Sequence, residues 1–216
     1  MCNTYTGQSK YTSLIDGLDK TYEGSYFQSR GVSVEVFNEF QLGSTHGNSD
    51  VHDTHKFKPL VPINDIFGNP VSIVLRLGET GHKYHYYPFP KMKHLFALDK
   101  AQEEIRRQNL VYVVEGFFDV LLPFSKGVRN VVAIMGTRMS KQQLYLLSSL
   151  TNHITFVLDS DRAGIAALDP TIKLIKEETP DVRSDIVFTY PHKDFADYIQ
   201  AGELWTNSNQ TMNQNM

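Results

Sequence analysis

Two stretches that carry acid residues decide the fold of this chain: Val113-Val114-Glu115-Gly116-Phe117-Phe118-Asp119-Val120 and, further along, Leu158-Asp159-Ser160-Asp161-Arg162-Ala163-Gly164. In each stretch an apolar strand ends in acid residues, and the chain then continues in a helical pattern. Continuous apolar strands that alternate with helices form parallel sheets, and ligands bind beyond the carboxyl ends of such strands. We therefore expect the acid residues that follow the two strands to meet in one crevice.

The alternation of strands and helices extends on both sides of these stretches. The predicted strands are residues 110–114, 131–135, 154–158 and 186–190. The predicted helices are residues 117–125, 140–150 with Ser140 as N-cap, 163–178 and 195–200. This pattern predicts an α/β fold in which helices cover both faces of a parallel sheet.

The first half of the chain has a different pattern, typical of a small α+β subdomain. Residues 32–40 have the spacing of an amphipathic helix with Ser33 as N-cap, and residues 95–108 are also predicted to be helical. Residues 61–66 and 71–77 are predicted to form a hairpin around the turn Gly68-Asn69. We therefore divide the chain into an N-terminal arm at 1–23, a basic α+β subdomain at 24–108, an α/β domain at 109–203 and a disordered tail at 204–216.

The composition narrows the classes of protein to which the chain can belong. Its 216 residues carry a formal net charge of -3, so net charge alone does not predict that the protein binds nucleic acid. The single cysteine, Cys2, excludes an internal disulfide framework and a zinc finger built from cysteines. No apolar run is long enough to span a bilayer, and no signal-peptide pattern opens the chain. We therefore expect a cytoplasmic protein without a membrane partner.

The acid residues have the spacing of a site for divalent metal. Glu115 and Asp119 are four positions apart at a strand-to-helix turn, so both can face one crevice. Asp159 and Asp161 are two positions apart and leave an extended segment on the same side. Magnesium prefers such oxygen ligands, and two ions about 3.5–4 Å apart can activate an attacking hydroxyl and stabilise a leaving oxygen.

Two other roles for these acids remain open. Glu115 can act as a general acid or base instead of a metal ligand. Any single acid can also cap a helix, because negative charge is favoured at helix N-termini. Convergence of the whole acid set at one edge of the sheet favours the metal site over capping.

The same residues resemble the Toprim motif, which bacterial-type primases, topoisomerases and some nucleases share. The closer resemblance is to the DnaG-type primase family. Residues 113–120 are similar to the family's strand that ends in Glu-Gly. Gly136-Thr137 is similar to the end of the family's next strand, and residues 159–164 are similar to its Asp-Gly-Asp-x-Ala-Gly motif. Residues 192–199 resemble its closing Lys-Asp-Pro-x-Asp segment, with Phe195 in the position of the proline.

Landmarks upstream of the Toprim motif separate primases from other Toprim proteins. Ser29-Arg30-Gly31-Val32 resembles the opening helix region of the primase core. The hairpin, with Arg76 on its second strand, then Lys83-Tyr84 and residues 95–101 resemble the next three landmarks. The resemblance covers roughly residues 24 to 203, and it implies a Toprim parallel sheet preceded by a small basic α+β subdomain.

The resemblance implies a role for each matching residue. It implies that five acids hold Mg2+ or Mn2+, three of them at the catalytic centre: Glu115, Asp159 and Asp161, with Asp119 and Asp194 as further ligands. It implies that a second group binds nucleotide or DNA: Arg30, Arg76, Lys83 and Tyr84. Arg162, beside the acid edge, can also contact a triphosphate. The implied reaction is synthesis of short RNA primers on a single-stranded DNA template from ribonucleoside triphosphates.

The chain also departs from that family. It holds neither the amino-terminal zinc-binding module nor the carboxy-terminal domain that docks the replicative helicase, and residues 43–60 are shorter than in cellular enzymes. Possible partners are therefore a separate zinc-binding module and the helicase, in a bacterial cell or a phage-infected host. Two alternatives remain: a Toprim nuclease or DNA-processing factor, and a non-catalytic primase relative that binds DNA or a replication protein.

Two further segments have ambiguous patterns. Residues 82–94 interleave Lys and His with Tyr and Phe, which suits single-stranded nucleic acid or, equally, a solvated loop with packed tyrosines. His46, Asp50, His52, Asp53 and His55 suggest a zinc or iron site, although their spacing matches no known template and favours a polar loop.

Overall fold

The computed structural model describes residues 8–46, 55–78, 83–158, 162–189, 191–192 and 195–200. The chain divides into two compact units, Met1–Pro90 and Lys91–Met216. The predicted tail at residues 204–216 lies outside the described residues. The expected fold class is confirmed, because one unit combines helices with an antiparallel sheet and the other is built on a parallel sheet.

The first unit contains an antiparallel sheet of order β1-β2-β3-β4. Its strands are β1 (Gly43–Ser44), β2 (Pro59–Asn64), β3 (Pro70–Arg76) and β4 (Tyr84–Tyr86). Its helices are α1 (Gln8–Asp16), α2 (Tyr26–Ser29) and α3 (Val34–Glu39). The predicted cap of α3 is confirmed, since the hydroxyl of Ser33 accepts a hydrogen bond from the amide of Val36.

The predicted hairpin is present as β2 and β3. Leu60 pairs with Leu75, and Ile63 pairs with Ser72. In the connecting turn Gly68 has a φ of 86°, a conformation that glycine adopts without steric cost. Oδ1 of Asp65 accepts hydrogen bonds from the amides of Phe67 and Asn69. This hairpin places Arg76 at the end of β3.

Helix α1 is integrated into the first unit. Ile15 and the nearby Leu18 are almost completely buried against Leu60, Ile73 and Leu75 of the sheet. The sequence predicts residues 1–23 as an arm with at most one short helix, because most of these residues are polar. The few apolar side chains of α1 nevertheless lie on one face and complete the core over the hairpin.

The second unit contains a parallel sheet of order β6-β5-β7-β8. Its strands are β5 (Val111–Val114), β6 (Val131–Ala133), β7 (His153–Leu158) and β8 (Arg183–Phe188). Its helices are α4 (Leu98–Gln108), α5 (Phe118–Ser125), α6 (Lys141–Ser148), α7 (Arg162–Glu178) and α8 (Phe195–Gln200). The cap of α6 is also confirmed, as Ser140 and Gln143 form a reciprocal capping box.

Helix α4 groups with the parallel sheet. The residue that precedes it by two positions, Phe96, forms an antiparallel bridge with Ala133, through N···O distances of 2.9 and 3.2 Å. The division between the units therefore follows Pro90, whereas the sequence placed it after residue 108. A single pair of backbone hydrogen bonds to a strand outside the local pattern cannot be read from hydrophobic periodicity.

The bounds of β6 and β8 differ from the sequence prediction. Strand β6 ends at Ala133 rather than at residue 135, and Met135 has a φ of 59°, which extended backbone does not allow. Strand β8 begins at Arg183, because pairing with β7 extends into a segment whose side chains are polar and exposed. Hydrophobic patterning does not detect a polar strand that is held only by its neighbour.

Candidate functional site

The parallel sheet brings the carboxyl ends of β6, β5 and β7 to one edge. Val113 of β5 pairs with Val132 of β6 on one side and with Phe156 of β7 on the other. Since all three strands run in the same direction, Glu115 and the Met135-Gly136 turn lie beyond the same carboxyl edge. Residues 159–161, which follow β7 in sequence, lie outside the described residues.

The turn after β5 carries the two acid residues of the site that the structure describes. Glu115 is half-buried, and its Oε1 atom is excluded from solvent. Asp119 lies in the first turn of α5 and is only 7% exposed. The strand-to-helix turn thus holds both acid residues beyond the carboxyl end of β5, while their shared orientation toward one crevice stays a prediction.

Backbone amides fix the carboxylate of Asp119 from two sides. Its Oδ2 accepts a hydrogen bond from the amide of Gly116 at 3.2 Å, and its Oδ1 accepts one from the amide of Ala196 at 2.9 Å. The second bond links α5 to α8, where Phe195 and Ala196 are almost completely buried. The turn after β5 and the start of α8 are therefore joined through one side chain.

The remaining acids are not described. Asp159, Asp161 and Asp194 lie outside the described residues, and for Arg162 only its place at the start of α7 is described. Within the described part of the chain no group of three potential metal ligands occurs. The convergence of all five acids therefore remains a prediction, and of the five the structure describes the side chains of Glu115 and Asp119, which lie in one turn.

The donor set at this edge has the chemistry that a divalent cation requires. Glu115 offers a carboxylate of hard oxygen atoms at the edge where ligands of parallel sheets bind. Mg2+ keeps several waters and needs only one or two protein carboxylates when substrate phosphates supply further ligands. The described residues therefore fit a Mg2+ or Mn2+ site with Glu115 as a ligand.

A lysine that the sequence did not single out lies at the same edge. Nζ of Lys91 donates a hydrogen bond to the carbonyl of Met135 at 3.0 Å. Gly136 allows this approach, because a Cβ at that position would lie 3.3 Å from Nζ. Gln143 fixes the segment through bonds from Nε2 to the carbonyls of Lys91 and His94. Two sequence signals pointed to this place: the Gly136-Thr137 strand end and the basic, aromatic segment at residues 82–94, which contains Lys91.

In the first unit, two arginines and two tyrosines form one cluster. The guanidinium carbon of Arg76 lies 4.8 Å from the ring centre of Tyr84 and 6.0 Å from that of Tyr26. Arg30 donates a hydrogen bond to the Tyr26 hydroxyl at 3.1 Å, and its guanidinium carbon lies 5.9 Å from the same ring. We call these four residues the arginine–tyrosine cluster.

The cluster contains three of the residues that the resemblance implicated and one that it did not. Arg30, Arg76 and Tyr84 come together, and Tyr26 is the ring that both arginines share. Lys83 is exposed directly before β4, and within the described ranges no contact joins its side chain to the cluster. Tyr26 was missed because a ring between two cations is defined by tertiary distance, not by spacing along the chain.

The phenols of β4 are neutral at physiological pH. Burial raises the pKa of the Tyr84 hydroxyl, and the positive charge of Arg76 opposes that rise without cancelling it. Burial also raises the pKa of Tyr86 to about 12, with a smaller contribution from Tyr84. Both phenols therefore keep their protons, and the Tyr84 hydroxyl remains a hydrogen-bond donor on a ring that lies against the guanidinium group of Arg76.

The histidine-rich loop has described contacts only at its ends. The ring centres of His55 and His85 lie 4.4 Å apart, and Tyr87 packs against both rings. His46 is exposed, and Asp50, His52 and Asp53 lie outside the described residues. The polar-loop interpretation of this segment stays a prediction.

Comparison with known families first assigns the second unit. Residues 112–199 match the sequence model of the Toprim-like family. They include the turn with Glu115 and Asp119 and the start of α8. The second unit is therefore a Toprim-like domain.

Comparison with individual proteins then covers most of the chain. A DNA primase of Enterococcus faecalis is 31% identical over 206 residues, which is 83% of this chain and 33% of that protein. The solved structure of the Aquifex aeolicus primase, with its zinc-binding and RNA polymerase domains, is 26% identical with a TM-score of 0.80 and covers 91% of this chain and 58% of that one. The solved structure of a DnaG primase catalytic domain bound to single-stranded DNA is 22% identical with a TM-score of 0.77, and the match covers 90% of this chain and 74% of that one.

These matches confirm the resemblance to the catalytic core of DnaG-type primases, to which this chain is related. The chain spans about a third of the length of the Enterococcus primase. None of the helices within the described ranges has the length and apolar character of a membrane span.

Proposed function

We propose that this chain is a DNA primase core that joins ribonucleotides into short RNA primers on single-stranded DNA, with Mg2+ or Mn2+ as cofactor. The observation that carries the proposal is the likeness to the Aquifex aeolicus primase, which spans 91% of the chain and extends well beyond the Toprim-like domain. We would expect a nuclease or topoisomerase of the Toprim class to be similar only over the range that matches the Toprim-like family, residues 112–199. The setting that this reaction implies is the cytoplasm of a bacterial cell or a phage-infected host.

The acid edge supports nucleotidyl transfer. When bound, a divalent cation supplies charge neutralisation for the triphosphate and assists ionisation of the attacking 3′-hydroxyl. Glu115 would hold it together with Asp159 and Asp161, and Asp194 would complete the acid set. In this reaction the 3′-hydroxyl gives its proton to solvent water and its oxygen forms a bond to the α-phosphorus. The bond from that phosphorus to the bridging oxygen breaks, and pyrophosphate leaves with both electrons of that bond.

The cations supply the complementary half of the chemistry. Lys91, at the carboxyl edge of the sheet, would pair with a phosphate of the incoming nucleotide, and Arg162 at the start of α7 would add a second charge. Arg30 and Arg76 would bind phosphate oxygens through their planar guanidinium groups. Lys83 and Tyr84 would extend this contact along the template, as cations follow the backbone and rings stack on bases.

Partners other than the template and ribonucleotides are suggested by the domains of a solved relative. The Aquifex structure contains a zinc-binding domain beside its RNA polymerase domain, and this chain covers 58% of it. We propose that a zinc-binding module of the kind that the Aquifex structure contains, or the replicative helicase, supports initiation by this chain.

The test is primer synthesis by the purified protein. The protein would be incubated with mixed-sequence single-stranded DNA, labelled ribonucleotides and either Mg2+ or Mn2+. The Glu115→Gln variant and the Asp159→Ala, Asp161→Ala double variant would be assayed in parallel. We expect short labelled oligonucleotides that depend on template and on all three acids. DNA that is shortened without ribonucleotides would indicate a Toprim nuclease instead. Bound DNA without any product, even after addition of a zinc-binding module, would favour the non-catalytic alternative.

A further inference from the structure

The carboxylate of Asp119 is committed to backbone amides in a way that differs from a metal ligand. Both of its oxygens accept a main-chain hydrogen bond, at 3.2 Å from Gly116 and at 2.9 Å from Ala196. The residue is 7% exposed. A carboxylate that holds Mg2+ must instead reach an ion that keeps several of its waters, which requires access to the crevice.

Each of the two amides belongs to a position that lacks a helical acceptor. Ala196 is the second residue of α8, and the first four N–H groups of a helix have no partner within it. Gly116 precedes α5, whose N-cap residue Phe117 makes no capping bond through its side chain. Asp119 therefore satisfies the start of its own helix and the start of α8 with one carboxylate.

The glycine at position 116 is part of the same arrangement. A Cβ at Gly116 would lie 2.9 Å from Oδ2 of Asp119, closer than side-chain carbons approach oxygen in proteins. The absence of a side chain thus allows the carboxylate to reach the amide. In sequence this glycine directly follows Glu115, so the bond fixes the backbone that carries that carboxylate.

We propose that Asp119 is a positioning residue rather than a metal ligand. Its carboxylate forms an amide clamp, defined as the Asp119 side chain with the amides of Gly116 and Ala196, that fixes Glu115 on one side and the start of α8 on the other. In sequence the start of α8 directly follows Asp194. The clamp itself does not depend on the reaction, whereas its effect on catalysis rests on the proposed function.

The first experiment measures the clamp without any metal or substrate. Amide hydrogen exchange would be followed by NMR in the native chain and in Asp119→Asn. The asparagine oxygen can accept from one amide only, and its NH2 group faces the other. We expect exchange at Gly116 or Ala196 to accelerate at least tenfold. The amide of Ile134, which donates to the carbonyl of Val114, is the internal control and should keep its rate.

A second variant retains every charge. Gly116→Ala keeps all the carboxylates and displaces Oδ2 of Asp119 from the amide that it accepts. We expect faster exchange at position 116 and a fall in kcat of tenfold or more, with unchanged Mn2+ affinity. If Asp119→Asn does not fold, this variant still decides the proposal.

The third measurement compares Mn2+ binding in Asp119→Asn and in Glu115→Gln by electron paramagnetic resonance. We expect Glu115→Gln to weaken Mn2+ binding at least tenfold. Asp119→Asn should keep a Mn2+ affinity within threefold of that of the native chain, while its kcat falls. An equal loss of affinity in both variants, or unchanged exchange at both clamped amides, would overturn the positioning role. If neither variant alters Mn2+ affinity, the proposed metal site fails, and the exchange rates alone decide the clamp.

Discussion

The two units hold their charged residues by opposite means. In the Toprim-like unit a carboxylate, Asp119, is fixed by two backbone amides at the ends of helices. In the first unit the guanidinium groups of Arg30 and Arg76 lie against aromatic rings, and Tyr26 contacts both. Amide bonds define the direction of an oxygen, whereas a ring face attracts a cation over a range of positions.

This difference matches the tasks that we propose for the two regions. Metal-assisted transfer needs reacting atoms at fixed distances, and a small displacement of a carboxylate costs rate. A template strand presents phosphates whose spacing changes with sequence and conformation, so an adaptable cation is useful there.

Removal of the charge at the acid edge should have the largest effect. Glu115→Gln is nearly isosteric, and we expect kcat for primer synthesis to fall by about 100-fold or more, because a charge that stabilises the transition state is lost. DNA affinity should change by less than about threefold, since template contacts involve cations. Quenched-flow synthesis and fluorescence anisotropy would measure the two quantities. Retained kcat would remove Glu115 from the catalytic centre.

A change in the arginine–tyrosine cluster should affect binding instead of chemistry. We expect Arg76→Ala to weaken the binding of single-stranded DNA about tenfold. The variant should also reduce the steepness of the plot of log affinity against log salt concentration by about 1. Arg76→Lys keeps the charge but loses the planar group that lies over Tyr84, so it should recover only part of the affinity. Anisotropy titrations at several salt concentrations would measure both. A fall in kcat alone would contradict the assignment.

Tyr26, the ring that the two arginines share, should contribute less to DNA affinity than the arginines do. Tyr26→Phe removes the hydroxyl that accepts from Arg30 but keeps the ring. A hydrogen bond between a charged donor and a neutral acceptor contributes roughly 1.5–3 kcal/mol to stability when it is buried, and less when it is half-buried. We therefore expect DNA affinity to fall by about two- to fivefold. Tyr26→Leu, which also removes the ring, is the matched control and should cost more than Tyr26→Phe.

The smallest effect concerns the stability of the fold in alkali. The pKa of Tyr86 is raised from 10.0 to about 12, so folding favours the neutral phenol. This contribution is fully present below the unfolded pKa and is lost as pH rises from about 10 towards 12. Tyr86→Phe should remove that loss. Urea unfolding at pH 8 and pH 11 would show a smaller fall in stability for the variant, and an equal fall would contradict the shift.

The sequence determined the architecture of the second unit and the position of its acid turn. Apolar strands followed by acid and helix predict a parallel sheet, and parallel strands place such ends at one edge. Glu115 and Asp119 could therefore be assigned from spacing along the chain. The hairpin and the caps at Ser33 and Ser140 were also predictable, because each depends on residues within a few positions of one another.

Only the tertiary structure decided which side chains contact across elements. Asp119 reaches the amide of Ala196, Lys91 reaches the carbonyl of Met135, and Tyr26 lies beside Arg76. No periodicity records these pairs, since each joins segments that are distant in sequence. The bridge from Phe96 to Ala133, which places α4 with the parallel sheet, has the same origin. Local patterns fix elements and their ends, whereas packing of distant elements fixes what each side chain can bind.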